Sequence, residues 1–216
     1  MSGGPPAALV PLNVEPVRAH HGPALVQLFE RTDCPCFCQY QGFAGDGRDW
    51  QNRCANERSV SRDALLDDLA HERLIGSVAS AGDELVGWVR VERAARLPKV
   101  YEGRVYRGLP CFTGDRAATW AISCFLVSPD WRRRGVSSAL LSGAIDLARQ
   151  HGAASIEAFP RGARDTSDEE QWTGPLSLYE RAGFEVVSDF AAYPVLRLSF
   201  ASVGGANAGA APSELT

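Results

Sequence analysis

Arg132-Arg133-Arg134-Gly135-Val136-Ser137-Ser138 sets three guanidiniums, a glycine and two hydroxyls where the apolar run Cys124 to Val127 gives way to an amphipathic segment. Such a turn suits an anion with several oxygens. At the start of a helix the first backbone N–H groups lack intrahelical partners and lie at the positive end of the dipole, so a pyrophosphate binds there with few dedicated side chains. Gly135 lets the backbone approach closely. Without its context, the same stretch reads equally as a solvated basic helix start.

Two further groups of residues have chemical capacity. Glu157 stands inside the apolar strand Ser155-Ile156-Glu157-Ala158-Phe159. A carboxylate in a strand covered on both sides must meet an arginine, a hydrogen-bond donor or a wet cleft. Glu92, at the end of another strand, reads first as a solvated strand end. Cys34, Cys36 and Cys38 lie in Asp33-Cys-Pro-Cys-Phe-Cys-Gln-Tyr40 and hold three of the six cysteines. Spaced by two, they share one face if extended, which suits a soft metal or a redox pair. Zinc sites usually pair ligands as Cys-x-x-Cys, and Cys54 stands alone. Small apolar thiols packed beside Phe37 and Tyr40 are the simpler reading.

The elements that must position these residues follow from hydrophobic period. Thr119 to Val127 reads as a buried strand ending at Ser128-Pro129. Val136, Leu140, Ala144, Leu147 and Ala148 recur at helical spacing, with Gly152 as the stop after His151. Ala154 to Phe159 is the next strand, so strand, turn, helix and strand form a βαβ crossover with the ligand at the carboxyl end of the first strand. Upstream, a strand is predicted near Leu12 to Arg18, a helix over Pro23 to Arg31, and a helix over Ser61 to His71 capped by Ser61. Arg73 to Ala81 and Glu84 to Glu92 form a hairpin through Gly82-Asp83. Phe184 to Ser188 and Tyr193 to Phe200 close the sheet. The fold class is α/β: a mixed α+β sheet of about seven strands with helices on both faces.

Arg132-x-x-Gly135-x-Ser137 resembles the Gln/Arg-x-x-Gly-x-Gly/Ala signature of GNAT-type N-acetyltransferases, with Ser137 where Gly or Ala is usual. Leu178-Tyr179-Glu180-Arg181-Ala182-Gly183-Phe184 resembles the Leu-Tyr-Glu-Lys-x-Gly-Phe segment of the same superfamily. The cysteine segment is similar to one in a bacterial branch of GNAT-like proteins. The resemblance implies that Arg132, Arg133, Arg134, Gly135, Val136, Ser137 and Ser138 cradle the pyrophosphate of acetyl-CoA. It also implies that Phe125, Leu126 and Val127 form the pantetheine platform, with a main-chain N–H around Phe125 or Val127 as oxyanion donor. Tyr179 would be the acid that protonates the departing thiolate, or else it packs in the core. Many relatives carry an asparagine seven positions before that tyrosine; here Trp172 stands there, and Thr173 is available to replace its hydrogen bond. Glu157 and Glu92 are the candidates for the base that deprotonates a primary amine attacking the thioester directly, and Glu157 has an ion pair as its other reading. A CoA-binding or thiol-based sensor without transfer is the alternative, and a Cys-dependent metal module a third.

Two long connections flank this chemistry. Arg93 to Ala118, with Tyr101, Glu102, Tyr106, Cys111 and Asp115, reads as a lid over the acceptor or as a surface excursion. Arg161 to Trp172 carries Asp165, Asp168, Glu169 and Glu170, which would attract a cationic amine or form a solvated face. With 216 residues the chain suits one domain, placed at 11–200 between a flexible leader at 1–10 and an Ala/Gly-rich tail at 201–216. The net charge of −4 gives no support for nucleic-acid binding. No apolar run has membrane-spanning length, and the N-terminus lacks a secretion pattern, so a cytoplasmic location is expected. Edge strands near the C-terminal end are compatible with a homodimer.

Overall fold

The computed structural model describes residues 11–161, 172–190 and 192–201. The expected leader, almost all of the expected tail and the acidic residues Asp165, Asp168, Glu169 and Glu170 lie outside them. In chain order the elements are β1 (Leu12–Pro16), α1 (Gly22–Arg31), α2 (Gly47–Asn56), α3 (Arg58–Ala70), β2 (Gly76–Ala81), β3 (Glu84–Arg93) and the single turn α4 (Pro98–Tyr101). Then come β4 (Thr119–Val127), α5 (Val136–Gln150), β5 (Ser155–Ala158), α6 (Leu176–Arg181), β6 (Glu185–Ser188) and β7 (Val195–Ser199). The strands form one mixed seven-stranded sheet in the order β1-β2-β3-β4-β5-β7-β6, with helices against both faces, as predicted.

The sheet alternates, and that alternation sorts its side chains between two layers. Val89 and Val91 of β3, with Trp120 and Ile122 of β4, bury against Val136, Leu140, Leu141 and Ala144 of α5. Trp88 of β3 and Cys124 of β4 face the other way, onto Leu25, Leu28 and Phe29 of α1 and Leu65 and Leu69 of α3. A third cluster, Leu97, Ala121, Phe159 and Val195, roofs the β4–β5–β7 part of the same sheet under the 94–118 excursion.

Two local expectations are corrected. The stretch between α1 and α3, read as a continuous connection, contains α2, whose start Asp46 secures by accepting hydrogen bonds from Arg48 N (2.7 Å) and Asp49 N (2.9 Å). No residue of α2 is buried, so it has no apolar period to read. Helix α3 begins at Arg58 rather than at a Ser61 cap; Ser61 is buried inside the helix and its hydroxyl accepts from Arg53 Nε at 3.2 Å.

Candidate functional site

The basic turn sits where the crossover requires. A one-turn 3-10 helix at Pro129–Trp131 ends β4's exit, and Gly135 caps α5 with φ +83° and no side-chain hydrogen bond. That angle is in the left-handed region that glycine adopts freely. Arg133 is also left-handed, at φ +59°. The first intrahelical bond runs from Ala139 N to the Gly135 carbonyl at 3.0 Å, so the N–H groups of Val136, Ser137 and Ser138 point out of the helix start. Arg132, Arg133 and Arg134 are exposed around it, and the Arg134 guanidinium stacks 5.2 Å from the Trp131 ring centroid. The arrangement is a donor-lined cationic cradle at the positive end of a 15-residue helix.

Beside this cradle β4 leaves β5. The two strands pair in parallel only from Thr119↔Ser155 to Ala121↔Glu157, whereas β4 continues along β3 to Val127. The β3–β4 register shifts at Arg90/Val91, opposite Ser123, and the bulge turns the end of β4 away from β5. Phe125 is buried, while Leu126 and Val127 are half-buried and pack against the α1-side and α5-side clusters respectively. The wedge is crossed by Trp172–Gly174: the Phe125 N–H donates to the Trp172 carbonyl at 2.6 Å. The main-chain donor expected at Phe125 is therefore engaged by the chain itself.

Tyr179 lies fully buried in α6 against Phe184 and Phe125, at ring separations of 5.2 and 6.4 Å. Its hydroxyl donates to the Thr173 carbonyl, so Thr173 supplies a hydrogen bond here through its backbone. Burial pushes the phenol well above its ordinary range. Gly174, at φ +82°, lets this corner close: a Cβ there would stand 2.9 Å from the Tyr179 hydroxyl.

Glu157 is buried and saturated. Its Oε1 accepts from Arg197 Nε (3.0 Å), Arg197 Nη2 (2.7 Å) and Arg116 Nη1 (3.2 Å), and its Oε2 accepts from Arg116 Nη2 (2.7 Å) and Tyr101 Oη (2.6 Å). Arg197 also donates to the Cys111 carbonyl at 2.6 Å. One carboxylate thus ties β5 and β7 to both ends of the 94–118 excursion, which lies as a packed wall over the sheet. Burial, with this carboxylate beside it, raises the Tyr101 phenol far above its ordinary range.

Glu92 has a different setting. It is buried on the α1 side of β3, opposite Ala121, at the last residue pair before β4 and β5 part. Its Oε1 accepts from the Arg93 N–H at 3.0 Å and lies 3.7 Å from Arg96 Nη1, while its Oε2 lies 3.6 Å from Arg90 Nη2. Arg90 Nη1 donates to the Cys38 carbonyl at 2.6 Å. Among the described residues, Glu92 Oε2, Arg90 Nε, Ser123 Oγ and Gln41 Oε1 are buried without a hydrogen-bond partner, as is Trp120 Nε1 in the α5-side layer. A buried polar atom left unpaired costs about 1–3 kcal/mol, so orphan atoms on one stretch of β3 and β4 mark a place built to meet something polar. Arg90, Ser123 and Gln41 were not among the residues singled out from sequence; only the bulge and the folded loop bring them to attention.

The cysteine loop folds back onto the sheet. Cys38 is buried against Cys124, and its sulfur accepts from Trp88 Nε1 at 3.2 Å. A hydrogen bond from Cys124, with the Arg90 guanidinium and the Trp88 N–H, holds the Cys38 thiol below its ordinary range against the opposing effect of burial. Cys34 and Cys36 are half-buried, their sulfurs 3.4 Å apart. Among the described residues no group of three or more His, Cys, Asp or Glu is placed to hold a metal ion, and no helix is long and apolar enough to cross a membrane.

Comparison with known proteins adds an independent line. The profile of the Acetyltransferase (GNAT) family matches residues 45–184. No curated protein matches the chain in sequence. Among solved structures, the PaiA N-acetyltransferase of Thermoplasma acidophilum, crystallised in complex with coenzyme A, superposes with a TM-score of 0.53 at 11% identity, covering 88% of this chain and 99% of that one. The GNAT domain of S. lividans PAT gives 0.52 at 19% identity over 91% and 100% of the two chains. A GCN5-related N-acetyltransferase from Kribbella flavida gives 0.50 at 18% over 88% and 98%. At these identities the likeness is one of fold.

Proposed function

The chain belongs to the GNAT acetyltransferase family, and on that premise we propose that it is an acetyl-CoA-dependent N-acetyltransferase in which a primary amine attacks the thioester directly within a ternary complex. The observation that carries this reading is the pairing of the α5 cradle with the divergence of β4 from β5. Arg132, Arg133 and Arg134 supply charge, Gly135 supplies the close approach, and the N–H groups of Val136, Ser137 and Ser138 supply donors for the pyrophosphate. Phe125, Leu126 and Val127 line the opening for the pantetheine arm. When bound, the cofactor supplies an activated acetyl thioester.

The remaining tasks fall to this chain's own side chains. The amine must be neutral to attack, and Glu92 takes its proton: Oε2 is buried, makes no hydrogen bond among the described residues, has Arg90 Nη2 as an ion-pair neighbour at 3.6 Å and lies where β4 and β5 part. Tyr179 is the acid for the departing sulfur, and delivers its proton once its hydroxyl exchanges the Thr173 carbonyl for the ligand. Glu157 is a positioning residue, because every lone pair it can offer is committed to Arg116, Arg197 and Tyr101.

One observation favours the second reading, a CoA-binding protein without transfer: Phe125 N–H and Tyr179 Oη are both satisfied by Trp172 and Thr173. The two are separated by following thiol release from acetyl-CoA across a panel of small-molecule and peptide amines. Transfer predicts turnover that falls about 10²- to 10⁴-fold in Tyr179→Phe and in Glu92→Gln while cofactor affinity stays near wild type. Cofactor binding without turnover on any amine selects the second reading.

A further inference from the structure

The cysteine loop does more than fill a gap beneath α1. Asp33, Phe37 and Cys38 all adopt left-handed φ, at 47°, 44° and 59°. Non-glycine residues seldom adopt that region, and such strain is retained where the surroundings impose it, commonly at functional sites. The same turn brings two thiols together. Cys34 and Cys36 bring their Sγ atoms to 3.4 Å, and the Cys36 sulfur in turn accepts from the Cys38 N–H at 3.4 Å. Cys34 N–H is fixed to the Phe29 carbonyl at 2.9 Å, so its thiol is presented from the end of α1.

The contact is reachable. Cys34 lines a surface cavity of 190 Å³ bounded by Phe29, Glu30, Pro35, Phe37, Arg58 and Arg62. A water molecule occupies about 30 Å³ of liquid, so a small neutral oxidant has ample room there. The two sulfurs are also unequal. They share one hydrogen bond in which either thiol can donate, but Cys34 lines the cavity while Cys36 lies behind it. A nucleophile at the cavity wall and a second thiol in contact behind it are the two components of a dithiol that is oxidised by way of a sulfenic acid.

We propose that Cys34 and Cys36 form a redox-active dithiol that reduces a small hydroperoxide at this cavity and closes to a Cys34–Cys36 disulfide. The Cys34 thiolate attacks the near peroxide oxygen, an S–O bond forms as the O–O bond breaks, and hydroxide leaves. The Cys36 sulfur then attacks the Cys34 sulfenic sulfur. Its proton and the hydroxyl depart as water, and the S–S bond forms at about 2.05 Å. With hydrogen peroxide the departing hydroxide takes up the proton that Cys34 gave on ionising, so the two thiols lose two electrons in total and the peroxide is reduced to two waters; an organic hydroperoxide is reduced to its alcohol and one water. Cys38 takes no part, because its sulfur is engaged with Trp88 and Cys124 in the interior.

The test uses the full-length protein, reduced, freed of reductant and given one equivalent of hydrogen peroxide. Free thiols are then alkylated, and the tryptic peptide carrying Cys34, Cys36 and Cys38 is fragmented in the mass spectrometer. The expected product loses two hydrogens, links positions 34 and 36 and keeps Cys38 alkylated. In Cys36→Ser a dimedone adduct on Cys34 replaces the disulfide, and in Cys34→Ser peroxide consumption slows at least about tenfold. A disulfide joining any other pair, Cys34 to Cys54 included, overturns the proposal. So do the absence of any disulfide in the wild type and an unchanged rate in Cys34→Ser. None of these readouts depends on acyl transfer.

Discussion

Replacing Glu157 by glutamine separates two roles that the sequence alone leaves equal. The carboxylate is fully buried and receives five hydrogen bonds, three on Oε1 and two on Oε2, from Arg116, Arg197 and Tyr101. Glutamine keeps one acceptor. If its carbonyl takes the three bonds at Oε1, its amide donors face Arg116 Nη2 and Tyr101 Oη; the phenol can reverse, but the guanidinium cannot. The variant therefore leaves two arginines close to an uncharged group, and breaking a buried pair from one side costs about 3–5 kcal/mol. The lower end applies, because the side chains of Arg116 and Arg197 are 19% and 26% exposed and recover part of their hydration. At about 2–4 °C per kcal/mol for a domain of this size, the melting temperature should fall by about 6–12 °C. Differential scanning calorimetry measures this, and turnover assayed well below the lowered transition should survive within about an order of magnitude. A variant that melts with the wild type yet has lost turnover would refute the reasoning and restore Glu157 as the base.

Other substitutions probe neighbouring features. Gly174→Ala must hold alanine at φ +82° with its Cβ 2.9 Å from the Tyr179 hydroxyl, so it should lose more than about 1 kcal/mol in urea denaturation; wild-type stability would contradict the placement of that corner. Asp46→Ala removes the acceptor for Arg48 and Asp49 N–H and should cost about 1 kcal/mol, read from the same denaturation curves. The hydrogen bond shared with Cys36 lowers the Cys34 ionisation, whereas burial raises that of Cys54. Alkylation of Cys34 should therefore reach half its maximal rate at a lower pH than alkylation of Cys54, and the reverse order would show that the Cys34–Cys36 contact does not persist in solution.

Much of the fold was legible because the β4–α5–β5 unit writes itself in local chemistry. Thr119–Val127 is apolar at every position but Thr119 and Ser123, α5 has an unbroken helical period, and Gly135 stands where the chain must turn left-handed. Helix α2 was not legible, since it buries nothing and is held by its cap and by Trp50 packed 5.3 and 5.1 Å from Tyr40 and Phe43. The start of α3 was misplaced because Ser61, a good capping residue by type, is used as a buried hydrogen-bond acceptor. At the site, Tyr179 and Glu157 could be singled out by type but not by partner. Thr173 reaches Tyr179 through a carbonyl that carries no sequence identity, and Arg116 and Arg197 reach Glu157 from about 40 residues away on either side. Ser123 became visible only through the β4 bulge, a register event between two strands that neither strand's pattern records.

The most direct test of the central claim is calorimetric titration with acetyl-CoA, CoA, dephospho-CoA and ATP of the wild type and of the Arg134→Glu, Gly135→Glu double variant. The variant places two carboxylates in the cradle, one of them on a backbone held at φ +83°. The account predicts micromolar binding of the pantetheine-bearing ligands, none of ATP at the same concentrations, and loss of binding in the variant while its melting temperature shows it folded. Failure of every CoA species to bind the wild type, or equal affinity in a folded variant, would contradict it.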